Sequence, residues 1–192
     1  MRMKYKAVAL FSVLIALVLT GCGPKYEGDF SYEVEPFEFT NQDGETVTKE
    51  DLEGKFWVAD MIFTNCETVC PPMTANMARL QDKLQKAGLD VHLISFSIDP
   101  ENDSPEALKQ YSKERGGEFD NWDLLTGYQF EDIKKFAVNS FKALVQDLDE
   151  SDQFLHATSF YLVSPEGKAI KKYDGTKAAE MDTIVEDIKK MN

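Results

Sequence analysis

The sequence has 192 residues, of which 34 are acidic and 21 are basic, so its formal net charge is −13 at pH 7. This length suits one domain with a full hydrophobic core. The negative charge keeps a protein soluble and argues against nucleic acid or anionic lipid as its partner.

The first 21 residues have the pattern of a secretory signal peptide. A basic segment over residues 2–6 precedes an apolar run over residues 7–19, which is shorter than the roughly 20 residues of a membrane span. The run leads into Leu19–Cys22, which resembles a bacterial lipobox. The resemblance implies cleavage before Cys22 and a lipid on its sulfur atom; the alternatives are an uncleaved anchor or an ordinary secreted protein. We expect a mature chain of net charge −16 on the extracytoplasmic face of a bacterial cell membrane.

A polar segment follows the predicted lipid attachment point. Residues 22–35 contain Gly and Pro and are predicted to form a lipid-anchored tether that leads to a single domain over residues 36–192. In that domain, apolar residues at 37–39 and 46–47 flank the turn residues 41–44, which predicts a β-hairpin.

Two cysteines lie between a predicted strand and a predicted helix. The run Phe56–Phe63 is apolar except for Asp60, which is typical of a central strand buried on both faces. The loop after it carries Cys66 and Cys70. Pro71 and Pro72 favour a helix start. The helix is predicted to end at Gly88, and its apolar stripe consists of Met73, Met77, Leu80, Leu84 and Ala87.

The rest of the chain alternates between the two kinds of element. We predict strands over residues 91–98, 122–125, 142–146, 154–163 and 168–173, and helices over residues 104–116, 130–138 and 177–191. This order predicts an α/β fold. In open α/β sheets, functional sites gather at the carboxyl ends of strands, where the two cysteines lie.

Two thiolates this close can bind a soft metal ion or form a disulfide. Outside the cytoplasm the pair would oxidise unless it is reduced or metal-bound. A bridge closing so small a loop would stabilise the fold little, so a purely structural disulfide explains the pair poorly. Cys70, at the predicted helix start, is expected to have a lowered pKa, which favours both functions. The three-residue spacer, wider than the usual two, leaves both open.

Histidine is the next candidate ligand, and the sequence contains only His92 and His156. Two thiolates and one imidazole suit copper, whereas a structural zinc site usually has a fourth protein ligand. Nothing in the spacing shows that His156 approaches the cysteines, and a lone histidine is more often structural. His92 falls inside a predicted buried strand and is interpreted as structural.

Four further residues are weaker candidates. Asp60 would have a raised pKa if buried and could then exchange protons near the sulfurs, whereas on an exposed face it would do nothing. Asp99 either lies at the same rim or simply ends its strand. Met73 and Met77 recur at helical spacing, which is more typical of a core than of thioether ligands.

Together these segments resemble the Sco (SenC-type) family of membrane-anchored copper proteins over nearly the whole mature chain. Many relatives have proline directly after the first cysteine, where this chain has Glu67. The resemblance is carried by Trp57–Asp60, Phe63–Cys66, Cys70–Met73, Ser97–Pro100, Asp103–Pro105 and His156.

The resemblance implies a thioredoxin-like fold, with a central mixed sheet flanked by helices and a hairpin insertion. It implies one copper ion, Cu(I) or Cu(II), bound by Cys66, Cys70 and His156. It also implies work on the binuclear copper centre of cytochrome c oxidase subunit II, with a thiol reductant of thioredoxin type as a second partner.

Three functions follow from these residues. The first is a copper metallochaperone that passes copper to the oxidase subunit. The second is a thiol–disulfide reductase without copper, in which Cys66, expected to be the more exposed thiol, attacks and Cys70 resolves the mixed disulfide. The third is a thiol peroxidase or redox sensor.

Overall fold

The computed structural model describes residues 26–148 and 153–192. The predicted signal peptide over residues 1–21 and the predicted lipidated Cys22 lie outside this part of the chain. Among the described residues, no helix combines the length and the apolar composition that crossing a membrane requires.

The described residues form ten strands and four α-helices, with a short 3-10 turn at Glu50–Leu52. The strands are Tyr32–Glu33 (β1), Glu38–Thr40 (β2), Thr46–Thr48 (β3), Phe56–Ile62 (β4), Val91–Ser97 (β5), Trp122–Leu125 (β6), Val145–Asp147 (β7), Phe154–His156 (β8), Ser159–Val163 (β9) and Lys168–Asp174 (β10). The helices are Cys70–Lys86 (α1), Pro105–Lys113 (α2), Phe130–Phe141 (α3) and Glu180–Met191 (α4).

Six strands form one mixed sheet in the order β1-β10-β9-β4-β5-β6. Strands β4, β5 and β6 run parallel, whereas β9 is antiparallel to β4 and β10 is antiparallel to β9. Two hairpins, β2–β3 and β7–β8, form separate two-stranded sheets. The predicted α/β class is therefore confirmed.

The core lies on both faces of this sheet. One face packs against the apolar sides of α1 and α4, including Met77, Leu80, Ile184 and Ile188. The other face packs against α3 and includes a cluster of aromatic rings. Because β4 is covered on both faces, all seven of its residues are buried, as its apolar sequence predicts.

The predicted strand over residues 154–163 is present but interrupted, because the chain changes partner in the middle of it. His156 pairs with Val145 in the β7–β8 hairpin, and the N–H of Ala157 still donates to the carbonyl of Leu144. Ser159 instead pairs with Asp174 of the main sheet. The predicted strand is therefore divided into β8 and β9, and residues 157–158 belong to neither.

Other boundaries also differ from the prediction. Helix α3 continues to Phe141 and ends where Lys142 adopts a left-handed conformation (φ 54°), so β7 starts only at Val145. Helix α4 begins at Glu180, three residues later than predicted. The described end of the predicted tether is packed on the domain, because β1 pairs with β10 and the next residue, Val34, is fully buried.

Candidate metal centre

The cysteine loop begins where β4 ends. Cys66 lies in the loop, with its N–H donating to the carbonyl of Phe63 at 3.3 Å, and Cys70 is the first residue of α1. The two cysteines are not bonded to each other. Cys66 is 6% exposed and Cys70 is fully buried, so Cys66 is the more accessible thiol, as predicted.

Charge is divided unequally between the two sulfurs. The Cys70 side chain and, to a smaller extent, His156 and the Cys70 N–H lower the pKa of Cys66 to about 3, although burial opposes this. The backbone N–H of Cys70 lies 3.3 Å from the Cys66 Sγ. The Cys66 side chain, followed by burial, raises the pKa of Cys70. Cys66 is therefore the thiolate of the pair.

The expectation that the helix start would lower the pKa of Cys70 is wrong. N–H groups at a helix start point toward the preceding chain. Here the N–H reaches back four residues to Cys66, so it stabilises the neighbouring sulfur. Cys70 then lies beside an existing negative charge in a buried position, and both conditions disfavour its own ionisation.

His156 reaches the cysteines from the end of strand β8. Its Nε2 lies 3.3 Å from the Sγ of Cys70, and its ring packs edge-on against Phe63 with centroids 5.8 Å apart. Its Nδ1 lies 3.0 Å from the carbonyl oxygen of Ala157. A carbonyl can only accept, so Nδ1 carries a hydrogen atom. In the neutral ring this leaves the Nε2 lone pair directed at the sulfur.

The structure thus brings together the three predicted ligand residues. One ligand atom from each of Cys66, Cys70 and His156 lies within 4.8 Å of the other two, and all three residues are buried. Two ligands of one ion, each about 2.0–2.3 Å from it, are of necessity within about 4.6 Å of each other. Two sulfurs and one imidazole nitrogen at this spacing fit copper. Their role as ligands stays a prediction.

Asp60 proves to be buried, the first of its two predicted alternatives. Its Oδ1 accepts a hydrogen bond of 2.6 Å from the Ser95 hydroxyl, which in turn accepts one from the Trp122 indole N–H. Its Oδ2 has no hydrogen-bond partner. Burial raises the pKa of Asp60 to about 7, against the opposing effects of Ser95 and the His156 charge. Asp60 can therefore gain or lose a proton near neutral pH.

Asp103 holds the start of the cysteine loop and was not singled out from the sequence. Its Oδ1 accepts hydrogen bonds from the N–H and the hydroxyl of Thr64, at 3.1 Å and 2.5 Å. Its Oδ2 accepts one from the Ser97 hydroxyl at 2.6 Å. The buried carboxylate thereby links the ends of β4 and β5 two residues before Cys66. The only signal in the sequence was its position in the Asp103–Pro105 motif.

The remaining candidate residues make contacts that are typical of structural roles. Met73 and Met77 are fully buried in the core beneath α1, as predicted. Asp99 accepts two hydrogen bonds from Asn102 in the turn after β5. His92 lies 2.7 Å from a carboxylate oxygen of Asp123 in β6 and joins neighbouring strands, which agrees with its structural interpretation.

Comparison with known proteins gives one family. A family profile described as SCO1/SenC matches residues 27–192. A curated relative, "SCO1 protein homolog" of Bacillus subtilis (strain 168), is 52% identical over 177 residues, which are 92% of this chain and 92% of that protein.

Solved structures show the same fold. A SCO1/SenC family lipoprotein from Bacillus anthracis str. Ames is 49% identical with a TM-score of 0.80, covering 83% of this chain and 95% of that one. BsSco, described with a disulfide switch and as a member of the Sco family of cytochrome c oxidase assembly proteins, is 51% identical with a TM-score of 0.79 and covers 86% and 97%. Copper-bound ScoI of Arabidopsis thaliana is 29% identical with a TM-score of 0.69, covering 81% and 98%. The predicted thioredoxin-like fold is confirmed.

Proposed function

The chain belongs to the SCO1/SenC family, and from this premise we propose that it is a membrane-anchored copper metallochaperone. Its cargo is one copper ion, and its target is the binuclear copper centre of cytochrome c oxidase subunit II. The observation that carries the proposal is the meeting of Cys66, Cys70 and His156 within 4.8 Å. Relatives of the same fold support it, since one is described with copper bound and another as an oxidase assembly protein.

Each of the three residues has a distinct part in holding the cargo. Cys66 offers a thiolate at neutral pH, because its pKa is lowered to about 3. Cys70 must release its proton to become a ligand, so binding is coupled to proton release. The hydrogen bond from Nδ1 of His156 to Ala157 fixes which ring nitrogen faces the sulfurs.

The site is also built so that it can open. His156 belongs to the separate β7–β8 hairpin, whereas Cys66 and Cys70 follow a strand of the main sheet. A side-chain hydrogen bond from Gln153 to the Asn65 carbonyl, 3.0 Å long, connects the hairpin to the cysteine loop. Ring packing of Phe154 and His156 on Phe63 adds to this connection. Ligand exchange with an acceptor would disturb these contacts but would leave the hydrogen bonds of the main sheet intact.

A membrane anchor agrees with one relative, which is described as a lipoprotein. We assign residues 1–21 as a signal peptide and Cys22 as the lipidated residue. The anchored segment predicted over residues 22–35 then joins the copper-binding domain, predicted over residues 36–192, through the pairing of β1 with β10. The mature protein then lies on the extracytoplasmic face of a bacterial cell membrane. Incorporation of radiolabelled lipid precursor into the wild type but not into Cys22→Ser tests the anchor.

A second candidate function is thiol–disulfide reduction of the oxidase subunit's cysteines. The lowered pKa of Cys66 and its greater exposure favour it, as does the disulfide switch described for BsSco. Cys66 would attack a target disulfide and Cys70 would resolve the mixed disulfide, leaving two target thiols and a Cys66–Cys70 disulfide. A thiol reductant of thioredoxin type would then return both cysteines to thiols.

Anaerobic copper titration of the reduced protein tests the leading proposal. Wild type should bind one Cu(II) with a thiolate charge-transfer band, and Cys66→Ser, Cys70→Ser and His156→Ala should each lose it. An unchanged spectrum in His156→Ala would contradict the ligand set. If His156→Ala loses copper binding but still reduces a target disulfide, the two functions are separable.

A further inference from the structure

The N-terminal end of the described chain lies at the opposite end of the sheet from the cysteines. The ring of Tyr26 packs edge-on against Phe56, with centroids 5.0 Å apart. Phe56 begins β4, and the cysteine loop follows the last residue of that strand, Ile62. Six residue steps of about 3.3 Å separate the two ends by roughly 20 Å.

The residues after Tyr26 are held firmly at this end. The N–H groups of Asp29 and Phe30 both donate to the carbonyl of Ile170, at 2.9 Å and 3.3 Å. Gly28 passes so close to Ile170 that a side chain there would overlap with its carbonyl oxygen. The chain therefore cannot peel away from the domain near Tyr26 without breaking these contacts.

The last turn of α4 completes the same end of the domain. Met191, Lys190 and Asp187 lie there with the N-terminal residues around a cleft of about 520 Å³. Asp187 pairs with Lys171 at 2.8 Å and with Lys190 at 3.4 Å. We call this end the base of the domain; its cleft is lined by Tyr26, Glu27, Gly28, Asp29, Lys171, Asp187, Lys190 and Met191.

A lipid on Cys22 would leave the base very little freedom. Only four residue steps separate Cys22 from Tyr26, and an extended chain covers at most about 14 Å in four steps. The headgroup layer on each side of a bilayer is roughly 5–7 Å thick. Tyr26 would therefore be held within about 9 Å of the headgroup surface.

The chemistry of the base selects the kind of lipid. The net charge of the mature chain, −16, repels an anionic surface. The base itself carries both signs, with Lys171 and Lys190 beside Glu27, Asp29 and Asp187. A zwitterionic headgroup such as phosphatidylethanolamine has a phosphate for the exposed Lys190 and an ammonium group for the exposed carboxylates of Glu27 and Asp29, and Met191 adds an apolar contact.

We propose that the base rests on zwitterionic lipid headgroups and that the cysteine–histidine site points away from the membrane, roughly 20 Å above the base. The inference rests on the lipid anchor proposed for Cys22. The anchored protein then serves only acceptors whose copper ligands stand at a comparable height above the bilayer.

Spin labels at the two ends of the lipidated mature protein test this orientation. In a Cys66→Ser/Cys70→Ser background, one label is placed by Lys189→Cys beside the base and the other by Glu67→Cys in the cysteine loop; both positions are exposed. The vesicles contain phosphatidylethanolamine and phosphatidylcholine, with a small fraction of nickel-chelating lipid. Nickel at the headgroups should relax the label at 189 several-fold more than the label at 67. Equal relaxation, or a stronger effect at 67, would overturn the orientation.

Two changes separate this inference from its premise. A twelve-residue Gly-Ser insert between residues 25 and 26 adds about 20 Å of reach and should reduce the difference between the labels. Lys190→Glu should also reduce it, whereas Lys135→Glu on α3 should not; equal effects of the two would contradict a role for the base. Vesicle flotation tests the premise. Protein that does not float with the vesicles would refute the lipid anchor, and the proposed contact of the base with lipid would fall with it.

Discussion

The Nε2 atom of His156 lies 3.3 Å from the Sγ atom of Cys70, although 86 residues separate them in the chain. The contact is made by the inner side of the β7–β8 hairpin. On the outer side of the same strand, Leu155 is 49% exposed. Adjacent residues of one strand thus offer a site variant and a matched control.

His156→Ala should weaken Cu(II) binding by at least roughly 100-fold. Loss of a residue that only supports a metal ligand already weakens binding by up to about 100-fold, and loss of a ligand itself should cost at least as much. It should also remove the thiolate charge-transfer band, because the sulfurs lose the imidazole that completes the set. Leu155→Ala changes the neighbouring residue without touching the site and should bind like wild type. Competition titration against a Cu(II) chelator measures both; equal affinities for the two variants would contradict the ligand assignment.

Cys66 should be alkylated at a rate that hardly changes between pH 5 and pH 8. Its pKa of about 3 means that it is already a thiolate throughout this range, whereas an ordinary thiol reacts about tenfold faster per pH unit below its pKa. Cys70→Ala removes the largest cause of the lowered pKa and should restore pH dependence. Glu67→Gln is the control in the same loop. Mass spectrometry of the reduced, metal-free protein gives the rates, and a steep wild-type profile would refute the prediction.

Asp60→Asn should stabilise the reduced, metal-free protein at high pH and not at low pH. The folded-state pKa of Asp60 is raised from 3.8 to about 7, so its favourable contribution is full below about pH 4 and is lost as the pH rises toward 7. Above pH 7 the buried charge costs up to roughly 4 kcal/mol, which the amide avoids. Urea unfolding at pH 4, 5.5 and 7.5 should show a widening difference.

The exposed residue Asp120 provides the comparison for that series. Asp120→Asn should follow wild type at all three pH values. The difference in unfolding free energy between Asp60→Asn and wild type reports on Asp60 alone, because Cys66 and the other titratable groups are present in both proteins. A difference that is constant with pH would show that folding does not raise the pKa of the Asp60 carboxyl.

Asp103→Ala should destabilise the protein by at least about 2 kcal/mol, because the half-buried Thr64 groups and the buried Ser97 hydroxyl lose their shared acceptor. Copper affinity should fall as well, since the start of the cysteine loop is no longer held. Glu101→Gln, an exposed change in the nearby turn, should alter neither. Urea unfolding and copper titration measure the two effects; normal copper affinity in Asp103→Ala would show that the loop needs no such anchor.

The regular elements could be predicted because their signals are local. The unbroken apolar run of β4 and the repeating apolar positions of α1 each specify one element and its buried face. The interruption of the strand over residues 154–163 could not be predicted, because its sequence favours an extended chain throughout and only the pairing with Leu144 and then with Asp174 shows where it divides.

The candidate site was harder to predict, because long-range contacts build it. The proximity of His156 to the cysteines came from a family resemblance and not from spacing. Asp103 acts on Thr64 across 39 residues, and no local pattern marks that hydrogen bond. The unequal pKa values of Cys66 and Cys70 arise mainly from the contact between their two side chains, and only the folded loop determines that contact.

His156 lies on the separate two-stranded hairpin β7–β8, here called the ribbon, and this position has a consequence for how such a protein can evolve. Within the described part of the chain, the ribbon shares no ladder with the six-stranded sheet. Its buried Val145 and half-buried Phe154 nevertheless pack into the core of the domain. Only sequence drift at exposed positions of the ribbon can therefore retune how tightly cargo is held without changing the thermal stability of the body. Selection on delivery and selection on durability would then act on alternate positions of the same short segment.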